Sequence, residues 1–172
     1  MDELFTRRSV RKYTDQKVLR DDLKMICNAG MHAPSAVNRQ PWAFVIVDDK
    51  SLLQRLGEEL PYAKMTKEAS AAIVVCGNLD TTYPNKQVNY WVMDCAAATE
   101  NMLLQIESMG LGAVWTAVFP EEDRVKIVRQ ILDIPDYLVP LNLCPIGYPA
   151  HKSEPHNNYD ESKIFYNRFN KI

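Results

Sequence analysis

The sequence predicts a single domain in which helices alternate with short buried strands. Its 172 residues suffice to bury about 70% of the surface that the unfolded chain would expose, so one hydrophobic core is expected over residues 1–172. Several short apolar runs have the length and composition of buried strands. Longer segments repeat apolar residues every three or four positions, which indicates helices that pack on one face.

The predicted strands and helices follow one another along the chain. The strands are expected at residues 43–47, 71–76, 113–120 and 141–149. The helices are expected at residues 2–8, 19–31, 50–60, 88–109 and 121–132, with a loop at 134–140. Gly110 follows the longest helix, at a position where a residue that tolerates left-handed φ ends a helix well.

Composition and charge indicate an ordinary soluble protein. Apolar residues make up 47% of the chain and charged residues 24%, and a net charge of −2 gives no general attraction to nucleic acid or anionic membranes. The amino terminus lacks the apolar run of a signal peptide, and no segment reaches the roughly 20 apolar residues of a membrane span. We therefore expect a cytoplasmic protein that binds neither nucleic acid nor membrane.

Cysteines, histidines and glycines narrow the kinds of site that are expected. The four cysteines stand far apart among apolar neighbours, which favours buried thiols over disulfides or metal ligands. The three histidines are scattered, so no metal site is predicted. The six glycines show neither the G-x-G-x-x-G nor the G-x-x-x-x-G-K-[ST] spacing, which leaves Rossmann and P-loop phosphate sites without support.

The segment R-R-S-V-R-K-Y at residues 7–13 concentrates positive charge. If the first helix continued through it, Arg8 and Arg11 would lie about one turn apart, with the Ser9 hydroxyl among them. Several cationic donors and one neutral donor suit a phosphate dianion. A solvated basic face or an arm for nucleic acid would use the same residues, so the segment alone leaves three interpretations open.

The loop A-P-S-A-V-N-R-Q-P-W at residues 33–42 leads directly into the first strand. Pro34 and Pro41 fix φ and push each preceding residue out of helical geometry, so an extended segment is expected. It would present Ser35, Asn38 and Gln40 at the entrance of a core strand. By itself the pattern is also typical of a capped turn between a helix and a strand.

Two further features concern surfaces. Asp94 and Glu100 lie within the longest predicted helix, and their spacing of six puts them on different faces, so both are interpreted as surface or interface groups. The apolar and aromatic residues at 164–169 need a covering surface near the end of the chain. A partner subunit or the chain's own domain would supply it.

Four segments in chain order, R-R-S-V-R-K-Y, A-P-S-A-V-N-R-Q-P-W, G-L-G-A-V-W-T-A and I-P-D-Y…P-I-G-Y-P-A, together resemble the short branch of the nitroreductase family. The resemblance covers nearly the whole chain. It implies an α+β fold with a central, mostly antiparallel sheet flanked by helices. It also implies a homodimer that exchanges C-terminal segments and builds each of two FMN sites from both subunits.

The resemblance assigns FMN contacts to four groups of residues. The N-terminal cations and serine match the site of the phosphate, the ribityl chain and the pyrimidine edge, and the proline-rich loop matches a strip laid on the flavin by the partner. The third strand's end matches backbone near the flavin N5, and two basic tail positions match the phosphate site. The implied residues are Arg7, Arg8, Ser9, Arg11, Pro34, Ser35, Ala36, Asn38, Gln40, Trp115, Thr116, Ala117, Val118, Lys152 and His156.

The activity that the resemblance implies is a hydride transfer carried out by the cofactor. NADH or NADPH would donate hydride to the flavin N5, and an oxidised acceptor (a nitroaromatic, a quinone or a flavin) would then receive it in a ping-pong cycle. No catalytic side chain is required, although a fixed cation such as Arg11 would stabilise the negative charge of reduced flavin.

Two other functions are kept as alternatives. One is an FMN-binding protein with another role, such as dehalogenation, flavin fragmentation or flavin storage. The other is a cofactor-free dimeric interaction domain. The sequence departs from the family pattern at Ala117, where many members have glycine, and at Asn157 and Asn158, where a cation is common.

Overall fold

The structure is a computed structural model that describes residues 2–84, 89–151 and 154–169. Its helices are α1 (Glu3–Thr6), α2 (Arg20–Met31), α3 (Lys50–Glu59), α4 (Tyr90–Ser108) and α5 (Glu122–Leu132). Its strands are β1 (Trp42–Val47), β2 (Ala71–Asn78), β3 (Gly112–Ala113), β4 (Thr116–Ala117) and β5 (Leu138–Gly147).

The strands form one antiparallel sheet in the order β1-β2-β5-β3, and β4 also pairs with β5. The long strands β2 and β5 therefore occupy the centre. Phe44 of β1 lies opposite Val75 of β2, and Ile73 of β2 lies opposite Cys144 of β5. The expected central antiparallel sheet is confirmed.

Helices cover both faces of the sheet. Alternate residues of β2 belong to two clusters, because successive side chains of a strand point to opposite faces. Ile73 packs in the cluster that contains Leu23 of α2 and Met102 of α4. Val74 packs in the cluster that contains Leu56 of α3 and Ile131 of α5. Each such fully buried aliphatic side chain contributes about 1.5–3 kcal/mol, so the central strand holds the two helical layers together.

The prediction of one continuous strand at residues 113–120 is wrong. The segment is divided into β3 and β4, which keep a single antiparallel register against β5. In that register Val114 falls opposite Pro145. Proline has no backbone N–H to donate, so the ladder is interrupted there and resumes at Thr116.

The predictions at the two ends of the fold need correction. The first helix ends at Thr6, so Arg8 and Arg11 do not share a helical face. The loop expected at 134–140 gives way to β5 at Leu138. Pro140 is accommodated in that strand because the pairing with β2 shifts beside it, at Val75 and Cys76, and proline is tolerated at such a bulge.

Local features of the other elements agree with expectation. Gly110 ends α4 with φ of +69°, as the left-handed prediction requires. All four cysteines are buried and free, and burial raises the pKa of Cys27 to about 11 and of Cys76 to about 12. Within residues 2–84, 89–151 and 154–169, no helix is long and apolar enough to cross a membrane.

Candidate functional site

The cationic N-terminal segment lies against the start of the strand pair β3 and β4. After α1 the backbone is not helical, Ser9 forms a parallel bridge with Ala113, and the Val10 N–H donates to the Ala113 carbonyl at 2.9 Å. A Cβ on Gly112 would come within 2.6 Å of the Val10 side chain. Glycine at 112 therefore permits this close approach, and it joins two motifs that are about 100 residues apart in the sequence.

The end of β5 closes the other side of the same segment. The Tyr13 hydroxyl donates to the carbonyls of Val10 at 2.8 Å and Pro145 at 3.1 Å. The Ala150 N–H donates to the Lys12 carbonyl at 3.0 Å. The extended arginine segment is thus held between the G-L-G turn and the start of the tail.

Arg8 lines a cavity of about 370 Å³ where these three segments meet. Gly110, Pro149 and His151 contribute to its walls, together with the acidic residues Glu107 and Glu154. A half-buried guanidinium at such an opening is accessible to an anionic ligand group. The sequence motif did not identify His151, which precedes the tail lysine that had been predicted.

Arg7 points to a different neighbour. Its Nε lies 3.5 Å from Oε1 of Glu100 on α4, and the two side chains are 29% and 47% exposed. Arg11 is exposed, and its Nη1 donates to the Ser9 carbonyl at 3.3 Å. The predicted cations therefore lie close together in the chain but face separate surroundings.

The predicted strand-end group has alternating exposure. Thr116 and Val118 are buried, Trp115 is half-buried, and Ala117 is exposed. The Ala117 carbonyl accepts a hydrogen bond from Arg124 Nη1 at 3.3 Å. Because β3 and β4 follow one line along β5, this exposed backbone continues from the arginine segment. From Ala113 to Ala117 the distance is about 13 Å at the usual strand rise.

The proline-rich loop is not extended, contrary to the sequence prediction. Residues Ala36–Asn38 form a 3-10 turn, and the chain folds back so that Ser35 Oγ accepts from the Gln40 N–H at 2.9 Å. The Gln40 side-chain amide donates to Asn38 Oδ1 at 3.1 Å. The polar residues of the loop, which were expected to extend separately, are therefore hydrogen-bonded to one another.

The loop also stores backbone strain. Val37, Asn38 and Gln40 have φ of 52°, 53° and 48°. A left-handed conformation is uncommon for residues other than glycine and is an outlier for a β-branched residue. At Val37 and Gln40 it costs on the order of 1–3 kcal/mol and persists where surrounding contacts enforce it, as at ligand sites. Val37 is 74% exposed, so its own packing does not explain the conformation.

Asp94 supplies one enforcing contact. Its Oδ1 accepts the Ala36 N–H at 2.9 Å, and the residue is only 5% exposed. The interpretation of Asp94 as a surface or interface group was therefore wrong. The sequence signal for its position is that Asp94 lies seven residues before Asn101. The Asn101 side chain donates to the Ala29 carbonyl at 3.3 Å. Residues seven apart share a helix face.

Helix α4 separates the two halves of the candidate site. Asp94 holds the loop, whereas Glu100 faces Arg7, and six residues on a helix place these carboxylates about 9 Å apart along the axis and on different faces. The loop and the arginine segment of one chain thus lie on different sides of the same helix.

Of the two basic tail positions, the structure describes one. Lys152 lies outside the described residues, and His156 is exposed. Asn157 and Asn158 are exposed as well, and Asn157 Oδ1 accepts from the Tyr159 N–H at 3.0 Å. No cluster of three or more metal-ligating side chains is found in the part of the chain that the structure describes.

Comparisons with known proteins show the family and the fold of the chain. The model of the nitroreductase family matches residues 4–62 and 57–148. A protein of Methanothermobacter thermautotrophicus, provisionally named NADH dehydrogenase/NAD(P)H nitroreductase, is 40% identical over 164 residues, which are 95% of this chain and 84% of that protein.

Two solved structures have the same fold. One, from Parabacteroides distasonis and provisionally named NADH dehydrogenase/NAD(P)H nitroreductase, has a TM-score of 0.91 and 46% identity, with 98% of this chain and 97% of that chain covered. Another, a provisionally assigned nitroreductase from Desulfovibrio desulfuricans in complex with FMN, has a TM-score of 0.81 and 25% identity, with 98% and 96% covered. The chain belongs to the nitroreductase family.

Proposed function

We propose that this protein is an FMN-dependent oxidoreductase that takes hydride from NADH or NADPH and delivers it to a small oxidised acceptor. The observation that carries the proposal is the pairing of Ser9 and Val10 with Ala113. It places a cationic segment at one end of the line formed by β3 and β4, and the exposed residue Ala117 lies about 13 Å further along that line. A flavin phosphate and a flavin ring need these two surfaces. Family membership and a structural neighbour solved with FMN support the same conclusion.

The described residues fit FMN. Arg8 borders a cavity of about 370 Å³ that can admit a phosphate, and Ser9 and Arg11 are exposed residues of the same segment. Guanidinium groups suit phosphate because their donors are fixed in a planar fork. Arg7 is held near this segment by Glu100 and would bind phosphate after exchanging that partner.

Other residues would hold the ring. The exposed backbone at Ala117 can approach a flat heterocycle, since the side chains of Thr116 and Val118 point into the protein. Loop 34–40 would cover the ring bound mainly by the partner chain, because within one chain α4 separates this loop from Arg7. When bound, FMN would supply two-electron hydride chemistry between NADH or NADPH and a nitroaromatic, quinone or flavin acceptor.

A homodimer is part of the proposal. The chain alone exposes 10852 Å², whereas a folded monomer of 19.7 kDa exposes about 8,600 Å². The described tail, 154–169, is exposed throughout. It includes Phe165 and Phe169, whose ring centroids lie 4.2 Å apart with the ring planes tilted by 40°. Large exposed apolar surface of this kind is characteristic of an interface. The tail would wrap a second copy of the chain, and the flavin site would be complete only in the dimer.

Purified protein tests the proposal directly. We expect either bound flavin with its visible absorbance or stoichiometric uptake of added FMN, followed by bleaching with NADH or NADPH under anaerobic conditions. A nitroaromatic or quinone should then restore the oxidised spectrum. Failure to take up FMN would reject the proposal. Flavin that remains oxidised with both nucleotides would reject the reductase activity and favour a flavin-storage or other role.

A further inference from the structure

The buried carboxylate of Asp94 is an unusual group in the middle of α4. It is 5% exposed, and its Oδ2 is buried without a hydrogen-bond partner within the described residues. Burying a charge is costly unless it is paired. A carboxylate at this position therefore needs a reason beyond packing.

Among the described residues, its hydrogen-bond donor is in the strained loop. Oδ1 accepts the Ala36 N–H at 2.9 Å, directly before Val37 and Asn38, which have left-handed φ. A hydrogen bond to a charged acceptor is roughly twice as strong as one between neutral groups. Such a bond suits a contact that must hold a conformation that the backbone disfavours.

Asn101 acts on the same segment two turns further along α4. Its side-chain amide donates to the Ala29 carbonyl at 3.3 Å, near the end of α2. One face of α4 therefore binds the chain at Ala29 and at Ala36, on both sides of the turn into the loop. Ser35 and Gln40 close the loop beyond these two contacts.

We propose that Asp94 is a positioning residue that holds loop 34–40 in its left-handed conformation before any flavin or partner binds. The inference rests on the proposed FMN site for its functional consequence, but not for its structural part. If the loop is already shaped for the ring, binding does not have to order it. When only a fraction of molecules has the competent loop, the apparent dissociation constant rises in inverse proportion to that fraction.

Hydrogen exchange in flavin-free protein tests the structural part. Asp94→Ala removes a hydrogen bond to a charged group, so protection of the Ala36 amide should fall by about 10- to 100-fold. Asp94→Asn keeps an oxygen that can accept this N–H and should retain most of the protection. Ile106→Val removes a buried methyl group from the same helix and serves as the control for general destabilisation.

FMN binding by the same variants tests the functional part. Asp94→Ala should raise the dissociation constant of FMN about tenfold if the competent loop falls to about one tenth of molecules, and Asp94→Asn should largely restore it. Unchanged exchange at Ala36 in Asp94→Ala, or a loss no larger than in Ile106→Val, would overturn the proposal. Faster exchange with unaltered FMN affinity would overturn the functional part, because the loop would then not serve the flavin.

The two proposals fail in different ways. If the wild-type protein binds no FMN, the proposed function is rejected. The exchange rates of flavin-free Asp94→Ala and Asp94→Asn still decide whether Asp94 positions the loop.

Discussion

Arg7 offers a quantitative test because its pairing with Glu100 and its proposed binding of phosphate differ in energy. The ion pair is partly exposed, with Nε and Oε1 3.5 Å apart, and pairs of this kind contribute about 0–1 kcal/mol to folding. A hydrogen bond from a guanidinium to phosphate contributes about 1.5–3 kcal/mol. Arg7→Gln should therefore weaken FMN binding by about 10- to 100-fold while it changes the free energy of unfolding by less than about 1 kcal/mol.

The assay is titration of FMN fluorescence, with urea unfolding of the flavin-free protein alongside. Arg55→Gln is the matched control, since Arg55 on α3 pairs with Glu59 at 3.2 Å and is 52% exposed. It should lose similar stability without any change in FMN affinity. Wild-type binding should also weaken as salt screens the phosphate contacts. FMN affinity of Arg7→Gln within twofold of wild type would refute the placement of Arg7 at the phosphate.

Three other predictions concern the loop, the tail and a helix cap. Val37→Asn should raise stability by about 1 kcal/mol, because asparagine tolerates left-handed φ and the valine side chain is largely exposed; an unchanged or lower urea midpoint would contradict the assigned strain. Deleting residues 164–172 should dissociate the dimer and release flavin together, as measured by light scattering and absorbance; a dimeric, flavin-loaded truncation would refute the role of the tail. The pKa of Asp49 is held below its usual range by hydrogen bonds from the Ser51 hydroxyl and from the N–H groups of Leu52 and Ser51. A lowered folded-state pKa gives stability that is present above the unfolded pKa of about 3.9 and lost as pH falls through the folded value, so Asp49→Ala should lower the urea midpoint at pH 7 and have little effect near pH 2. An equal loss at both pH values would contradict this assignment.

Much of the sheet could be predicted because strands that are buried on both faces have continuous apolar sequences. Every residue of β2 from Ala71 to Gly77 is buried, and only a continuous apolar run satisfies burial on both faces. The break between β3 and β4 could not be predicted from those strands. Its cause is Pro145, on a strand about 30 residues further along, and pairing partners are not visible in local composition.

The conformation of the proline-rich loop in the candidate site could not be predicted from the sequence. Proline rules predict extended backbone at Ala33 and Gln40, the residues that precede Pro34 and Pro41, but Gln40 has φ of 48°. The rules say nothing of the three residues between Ser35 and Arg39. Their turn depends on hydrogen bonds within the loop and on Asp94, which is 58 residues from Ala36. Contacts of this kind depend on tertiary packing, so the extended conformation that the prolines favour locally did not form.

The central place of β5 in the sheet has a consequence for synthesis on the ribosome. Strands β1 and β2 can pair early, but β3 and β4 have no strand to pair with until Leu138–Gly147 has been made. Ser9 in turn needs Ala113 in place. The surroundings of the N-terminal cations therefore form only after more than 130 further residues have been made, so the proposed flavin site cannot form before Gly147 has been translated.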